Sequence, residues 1–304
     1  MKVGTVLGDR FRLTEPLGEG GMGRLFRALD LECDTEVAVK VLPPRFLQSD
    51  TWYAENGQKL AIEGDIGRQL HDVDGTPVVH LIGVHNELSY VVMEIIEGVS
   101  LTELISRNRS IKRRAAVAIA CQLGEILVAV HHRGFVHRDV KDENVKVDPR
   151  GRVYLLDFGI AKHIDAENKF GGTHGYAPYE QVRHKELTFQ SDVYALGCLV
   201  CQMVANRLPF LEEDDWNVGE VPAEVPARVL HRLGPDLAAV VLRMIDRDLG
   251  RRFATMAEAV RHLSRLLPPP DSPPDPQALD PDPEAWLRAN PLRLPLVGGQ
   301  GVVS

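Results

Sequence analysis

The chain has 304 residues, 44% of them hydrophobic, and a formal net charge of −8 at pH 7. This length allows two domains or lobes with a substantial core, and the acidic balance argues against broad attraction to nucleic acid or to an anionic membrane. Four scattered cysteines are too few for a disulfide framework, and no apolar run resembles a signal sequence or a membrane span, so we expect a cytoplasmic protein without a membrane segment.

Two patterns of hydrophobic residues divide the chain. Up to about residue 95, short apolar or alternating runs are separated by Gly, Asp and Asn, which predicts a strand-rich part with one helix near residues 53–70. From about residue 100, apolar-periodic segments predict helices, the first capped by Ser100. A β-rich half followed by an α-rich half predicts an α+β fold with two lobes, about 8–95 and 98–267.

Beyond Leu267 the composition changes to an acidic, proline-rich segment, residues 268–304. Proline removes backbone donors and fixes φ, so this segment cannot fold alone and we expect a mostly extended or disordered tail. Its less polar stretch "AWLRANPLRLPL" leaves two alternatives open, which are docking onto the domain and binding a partner.

The first stretch with a chemical signature is "LGEGGMGRLFRA", in which Gly18, Gly20 and Gly23 form a GxGxxG pattern. Glycine lets backbone N–H groups approach a phosphate closely. A dinucleotide-binding version of the pattern should open a helix, whereas here "RLFRALD" follows and has the pattern of a strand. The sequence therefore favours a glycine-rich hairpin.

Lys40 lies in the otherwise apolar strand "EVAVKVL". A lysine in such a strand either reaches out to solvent at a sheet edge or holds an anion in a site. A partly buried Lys40 would need a counter-charge, and Glu63, in the apolar helical stretch "KLAIEGDIG", is the best candidate.

The stretch "HRDVKDEN", residues 137–144, places many ionisable groups between apolar segments, and "VYLLDFG" ends an apolar strand with Asp157. A plain surface loop is one interpretation of the first stretch. The other is an oxygen-rich cluster of Asp139, Asn144 and Asp157 suited to a hard cation. We favour the second interpretation, a site that holds a metal-bound polyphosphate and activates a hydroxyl group beside it.

In this order and spacing, "GEGGMG", "VAVK", "HRDVKDEN" and "DFG" resemble the protein kinase superfamily, and in particular the bacterial serine/threonine kinases of eukaryotic type. The resemblance covers residues 8–267 and leaves out the tail. It implies a bilobal fold, with a small β-rich N-lobe that carries one regulatory helix and a larger helical C-lobe. It also implies ATP and Mg²⁺ (or Mn²⁺) as cofactors.

The resemblance implies a nucleotide-binding role for many N-lobe residues. Lys40 would contact the α- and β-phosphates of ATP and pair with Glu63, and the three glycines would cover the phosphates. Met93 would be the gatekeeper, and Glu94 to Ile96 would offer backbone hydrogen bonds to adenine. The full set implied for ATP is Leu17, Gly18, Gly20, Gly23, Leu25, Ala38, Lys40, Met93, Glu94, Ile96 and Asn144.

For the C-lobe the resemblance implies that Asp139 accepts or orients the substrate hydroxyl proton, with Lys141 typical of the serine/threonine class. Asn144 and Asp157 would bind the metal ions that bridge the phosphates. Three further roles are implied: Thr173 would contact Asp139 and Lys141, Asp192 would fix the catalytic-loop backbone, and Arg252 would pair with Glu180.

The sequence departs from the family pattern at several places, among them Leu25 and His174, which stand where valine and proline are usual. Asp142 replaces a proline of the catalytic loop, and Pro178-Tyr179-Glu180 stands where Ala-Pro-Glu is usual. The segment "IAKHIDAENKFG" contains no Ser, Thr or Tyr, so we expect activity without phosphorylation there, with Asp165 or Glu167 substituting for phosphate against Arg138.

These features predict a serine/threonine protein kinase that acts in bacterial signal transduction by phosphorylation of protein substrates, including itself. Two alternatives remain open, a nucleotide-binding pseudokinase or scaffold and a small-molecule kinase of the same fold. We expect no nucleic-acid partner, and partner binding through the proline-rich tail is a further hypothesis. The sequence predicts neither the oligomeric state nor the regulatory input.

Overall fold

The two differently patterned halves of the chain form two separate units in a computed structural model. Unit 1 comprises Met1–Glu97 and Leu156–Ala161, and unit 2 comprises Gly98–Leu155 and Lys162–Ser304. The structure describes the following residues: 1–20, 23–42, 49–86, 88–166, 172–183, 186–210 and 224–295.

Unit 1 is built on an antiparallel six-stranded sheet with the spatial order β1-β2-β3-β4-β6-β5. Its alternating sequence pattern places one set of side chains on each face of the sheet. Strands β2 and β3 form the glycine-rich hairpin, paired from Phe11↔Asp30 to Gly20↔Gly23. The strands are β1 (Val6–Leu7), β2 (Phe11–Gly20), β3 (Gly23–Asp30), β4 (Thr35–Val41), β5 (Val79–His85) and β6 (Leu88–Met93).

The long helix α1 (Asp50–Gln69) packs against β5 and β6 of this sheet. Leu60 of α1, Leu42 directly after β4 and Val91 of β6 form one buried cluster. A second cluster contains Phe11, Tyr90 and other residues of β1–β4 and β6. The sheet therefore has apolar cores that hold β4 and α1 in place, and these two elements carry Lys40 and Glu63.

Unit 2 is mostly helical, and its centre is helix α3 (Arg113–His132). Of the described helices, α3 alone has the length and hydropathy of a membrane span, and most of it is buried inside the protein, as in the core helix of a globular domain. The other described helices are α2 (Leu101–Asn108), α4 (Tyr179–Val182), α5 (Gln190–Ala205), α6 (Ala227–Leu233), α7 (Pro235–Met244), α8 (Met256–Ser264) and α9 (Pro283–Ala289).

Short strands in unit 2 position the stretch "HRDVKDEN". Strand β8 (Phe135–Val136) precedes it and pairs with β11 (Lys162–His163). Strand β9 (Val145–Val147) follows it and lies between β7 (Val99–Ser100) and β10 (Val153–Leu155). The polar loop is thus held at both ends by strands whose apolar side chains are buried.

The proline-rich segment is docked on unit 2 as far as Pro295, whereas we expected mostly extended or disordered chain. Helix α9 packs on α3, where Arg114 and Glu284 form a bidentate ion pair, with Nη2 to Oε1 at 2.6 Å. Gln122 of α3 donates to the main-chain oxygen of Pro283 at 3.0 Å. Because proline already restricts φ, ordering such a segment loses less conformational entropy than its composition suggests. Residues 296–304 lie outside the described part.

Gly151, in the turn between β9 and β10, is predicted to control this docking. Its φ is +86°, and a Cβ atom there would lie 2.0 Å from the main-chain oxygen of Asp282. We expect Gly151→Ala to displace α9 and to speed hydrogen exchange across residues 283–289. The loss in free energy of unfolding should exceed the roughly 1–2 kcal/mol that a left-handed alanine costs by itself. Gly4→Ala is the matched control, because its φ is +88° with nothing within 4 Å. Unchanged protection of α9 in Gly151→Ala would contradict the prediction.

Candidate active site

In unit 1, Lys40 of β4 forms an ion pair with Glu63 of α1. The Lys40 Nζ atom lies 2.7 Å from each carboxylate oxygen of Glu63 and 3.2 Å from Oδ1 of Asp157. The side chains of Lys40 and Glu63 are only 14% and 8% exposed. Lys40 therefore does not reach out as an edge lysine; it is held between two carboxylates.

The charges around Lys40 do not balance, because two carboxylates share one ammonium group. Burial opposes the charge of Lys40, but Glu63 and Asp157 outweigh it and keep the pKa of the lysine above its ordinary value. Burial raises the pKa of Glu63 as well; Lys40 opposes this shift and Asp157 adds to it. The excess negative charge makes a further cation at this group favourable.

Asp157 has a φ of +61°, the left-handed region that few residues other than glycine adopt. Its Oδ1 atom accepts a hydrogen bond from the backbone N–H of Gly159 at 3.0 Å, as well as the contact from Lys40. These contacts hold the strained backbone and fix the carboxylate beside the lysine.

The residues implied for the adenine pocket lie on β2, β3, β4 and the end of β6. Ala38 of β4 pairs with Met93 of β6, and Leu25 of β3 pairs with Lys40. The N–H of Glu94 already donates to the oxygen of Val78 at 2.8 Å, so Glu94 can offer only its carbonyl group to a base. Ala38 and Ile96 are buried, while Leu17 is exposed.

The glycines of the hairpin have different surroundings. A Cβ atom on Gly23 would lie 2.5 Å from the main-chain oxygen of Val41, so close packing of β3 on β4 requires glycine there. A Cβ atom on Gly18 would meet nothing within 4 Å. Gly20 ends β2 opposite Gly23, and residues 21–22 lie outside the described part of the chain.

In unit 2, Asp139 is held by three side chains. Its Oδ1 accepts from the hydroxyl of Thr173 at 2.6 Å, and its Oδ2 lies 3.1 Å from both Lys141 Nζ and Asn144 Nδ2. Lys141 also donates to the Thr173 hydroxyl at 2.8 Å. A carboxylate has about four lone-pair sites, and these contacts occupy three of the sites on Asp139. The carboxylate is therefore fixed in orientation and keeps one site that can accept a proton.

Asp192 of α5 braces the backbone that leads into Asp139. It is fully buried and accepts from the N–H groups of His137 at 2.9 Å and Arg138 at 2.8 Å. The ring of His131 also contacts it, with Nε2 2.8 Å from Oδ2. Arg138 has a φ of +72°, and the two backbone hydrogen bonds hold it in that strained conformation.

We predict that Asp192 contributes to acid unfolding. Burial opposes its ionisation, but the bonds from His131 and the backbone outweigh burial and hold the pKa of Asp192 below its ordinary value. A depressed carboxyl pKa stabilises the fold above the unfolded-state value of about 4 and loses that contribution as the pH falls. In urea unfolding, the stability difference between wild type and Asp192→Asn should therefore be largest near pH 6 and narrow below pH 4. A constant difference would contradict this.

The departures near Glu180 leave a buried ion pair intact. Arg252 Nη1 lies 2.7 Å from Glu180 Oε1, and their side chains are 0% and 4% exposed. Tyr179, which replaces the usual proline, stacks under Arg247, whose Cζ lies 3.9 Å from the ring centroid. The expected Asp165 contact with Arg138 differs in the structure, where the exposed Asp165 carboxylate lies 3.3 Å from His163 Nδ1. Glu167 lies outside the described residues.

Each unit, taken by itself, offers an oxygen donor of the kind that a magnesium ion prefers. The amide nitrogen of Asn144 donates to the main-chain oxygen and to Oδ2 of Asp139. Its amide oxygen is therefore the atom suited to a cation. In unit 1, Asp157 offers a carboxylate, and the group that it forms with Lys40 and Glu63 has excess negative charge. Within the described residues no group of three or more His, Cys, Asp or Glu could hold a metal, and Mg²⁺ characteristically uses one or two carboxylates together with substrate phosphates.

The fold and the two sets of site residues define one class of protein: a β-rich unit with a Lys–Glu pair, followed by a helical unit with an Asp–Lys–Asn loop. The chain belongs to the protein kinase domain family, whose model matches residues 11–263. This confirms both the resemblance seen in the sequence and the α+β bilobal fold class.

Curated proteins that are similar to the chain include bacterial serine/threonine-protein kinases. The chain is 31% identical to serine/threonine-protein kinase PknB of Mycolicibacterium smegmatis over 278 residues, 86% of this chain and 43% of the relative. It is likewise 31% identical to serine/threonine-protein kinase pkn3 of Myxococcus xanthus over 280 residues, 85% of this chain and 50% of the relative. The chain thus spans half or less of the length of the curated relatives it matches.

Proposed function

We propose that this domain is a serine/threonine protein kinase that transfers the γ-phosphoryl group of ATP to Ser and Thr hydroxyls of proteins. The observation that carries the proposal is the Asp139 carboxylate, held by Thr173, Lys141 and Asn144 with capacity for one more proton. A group so placed can orient an attacking hydroxyl and accept its proton. The names of the bacterial relatives support protein substrates with serine and threonine acceptors.

For nucleotide binding we propose the residues of unit 1. The buried ammonium of Lys40, oriented by Glu63, would hold the α- and β-phosphates of ATP. No heavy atom lies within 4 Å of the position that a Cβ atom on Gly18 would take, so a phosphate could approach this glycine. The Glu94 carbonyl would accept from the adenine amino group. The other adenine contacts would be Leu17, Leu25, Ala38, Met93 and Ile96.

In the transfer step, residues of unit 2 would position the acceptor hydroxyl and neutralise charge on the transferred group. Asp139 would align the acceptor hydroxyl and take its proton, and Lys141 would place positive charge beside the transferred group. Lys141 suits this role because the carboxylates of Asp139 and Glu143 outweigh its burial and raise its pKa above the ordinary value. Bound at Asn144 and Asp157, Mg²⁺ or Mn²⁺ would supply charge neutralisation at the phosphates.

Around this activity we propose a role in bacterial signal transduction, in the cytoplasm, with autophosphorylation among its reactions. The short stretch between Ile160 and Gly171 has no hydroxyl side chain, so activity should not need phosphate there. Partner proteins would be substrates that present Ser or Thr.

The test is transfer of labelled γ-phosphate from Mg-ATP to the protein and to histone, followed by identification of the labelled residues. Wild type should label Ser or Thr, and Lys40→Met should lose the label. Lys59→Met, which removes an exposed lysine of helix α1, is the matched control and should label normally. Saturable ATP binding without any transfer would instead support the scaffold alternative, and label on tyrosine alone would contradict the proposed acceptor.

A further inference from the structure

The side chains of Tyr176 and Asp142 form a contact that the family resemblance did not imply. The Tyr176 hydroxyl donates to Asp142 Oδ1 at 2.8 Å. Tyr176 is only 7% exposed, and burial together with the Asp142 charge raises the pKa of its hydroxyl, which keeps it a donor. The bond joins the altered stretch "GTHGYAPYEQ" to the loop that carries Asp139.

This contact repeats the geometry of another one three residues earlier. Thr173 donates to Asp139, and Tyr176 donates to Asp142, so the same spacing separates the two donors and the two acceptors. The N–H of Tyr176 donates to the oxygen of Thr173 at 3.1 Å, which closes the turn between the two donors. The turn 173–176 is therefore pinned to the catalytic loop at two points, which fixes its position and its rotation together.

Gln181 adds a third tie, because its Nε2 donates to the main-chain oxygen of Arg138 at 2.9 Å. All three ties are made by uncharged side-chain donors of the segment after Gly171. The residue at 142 matters most for this arrangement, because proline, the usual residue there, has no side-chain acceptor for the tyrosine hydroxyl.

We propose that Asp142 and Tyr176 are positioning residues that hold the turn 173–176 in its substrate-receiving conformation without phosphorylation of the activation segment. The inference rests on the proposed kinase function and extends it to how the acceptor protein is received. The turn carries Thr173, which contacts Asp139 directly, so a shift of the turn would disturb the group that orients the acceptor hydroxyl. ATP, held by residues of unit 1, should be affected much less.

The test compares four variants of the whole chain. Tyr176→Phe and Asp142→Ala each remove the bond, whereas Asp142→Asn keeps an oxygen acceptor at the same place. We expect the first two to raise the KM for histone about tenfold, the effect of one buried hydrogen bond to a charged group. The KM for ATP should stay within about twofold, and Asp142→Asn should restore most of the histone KM. Tyr154→Phe, which removes a tyrosine hydroxyl elsewhere in unit 2, is the control.

The double variant Asp142→Ala/Tyr176→Phe separates a specific contact from general destabilisation. If the two residues act through their bond, the double variant should resemble either single variant, whereas independent effects would multiply. Multiplied effects, or a histone KM equal to that of wild type in Tyr176→Phe, would overturn the inference.

Hydrogen exchange of residues 172–177 gives a second readout that needs no catalytic activity. The exchange should be faster in Tyr176→Phe and Asp142→Ala than in wild type and in Asp142→Asn. If wild type transfers no phosphate, the proposed function fails, and this exchange still decides whether the bond holds the turn. Equal exchange in all variants would overturn the positioning role even in an active kinase.

Discussion

Replacing Asp139 with asparagine should lower the rate of phosphoryl transfer by about 10²–10⁴-fold, the range usual for loss of a general base. Asparagine keeps an oxygen that can accept from Thr173, so the loop should keep its shape. Its amide cannot take the acceptor proton, however, and its nitrogen would face the donors Lys141 and Asn144, which now lie 3.1 Å from a carboxylate oxygen. The measurement is single-turnover transfer of labelled phosphate, alongside ATP binding.

The matched control is Asp148→Asn, in the turn between β9 and β10. Asp148 accepts from the N–H groups of Arg150 and Arg152 through Oδ1, an atom that asparagine retains. This variant should transfer phosphate at the wild-type rate, and both variants should bind ATP as wild type does. Asp139→Asn with more than about a tenth of the wild-type rate would be incompatible with a catalytic Asp139.

The largest expected loss of stability comes from Arg252→Met. Arg252 and Glu180 are a buried ion pair, and Arg252 also donates to the main-chain oxygens of Asp246 and Gln190 at 2.9 Å. Removing the guanidinium leaves the Glu180 carboxylate buried without its partner. Breaking such a pair costs about 3–5 kcal/mol, so unit 2 should unfold at much lower urea concentration.

Two further variants test whether the lost partner is the reason. Arg251→Met changes the neighbouring arginine, which is 77% exposed and pairs only loosely with Asp248, and it should leave the urea midpoint nearly unchanged. The double variant Arg252→Met/Glu180→Met removes both charges, so it should be more stable than Arg252→Met. It should remain less stable than wild type, because the main-chain oxygens of Asp246 and Gln190 still lose their donor. The interpretation fails if Arg252→Met unfolds at the same urea concentration as Arg251→Met.

The fold class could be predicted from the sequence because hydrophobic periodicity is a local signal. Strands in the first hundred residues and helices after them follow from periods of two and 3.6 residues. The Lys40–Glu63 pair could also be predicted from the sequence. A lysine in a buried strand needs a counter-charge, and Glu63 is a helix glutamate among apolar neighbours.

Other contacts leave no local signal. His131 lies in the last turn of helix α3, and its ring contacts Asp192, 61 positions further along the chain. Tyr179 stands where the family pattern has proline, and Arg247 stacks on its ring. Only the packing of distant helices brings such pairs together, so no spacing rule could reveal them.

The docked segment Pro268–Pro295 has a consequence for synthesis on the ribosome. Arg114 of α3 precedes its partner Glu284 by 170 positions, and Gln122 precedes its partner Pro283 by almost as many. At about 5–20 residues per second, these polar groups are synthesised roughly 10–30 seconds before their partners. During translation, unit 2 can therefore complete its packing on this face of helix α3 only after α9 has emerged.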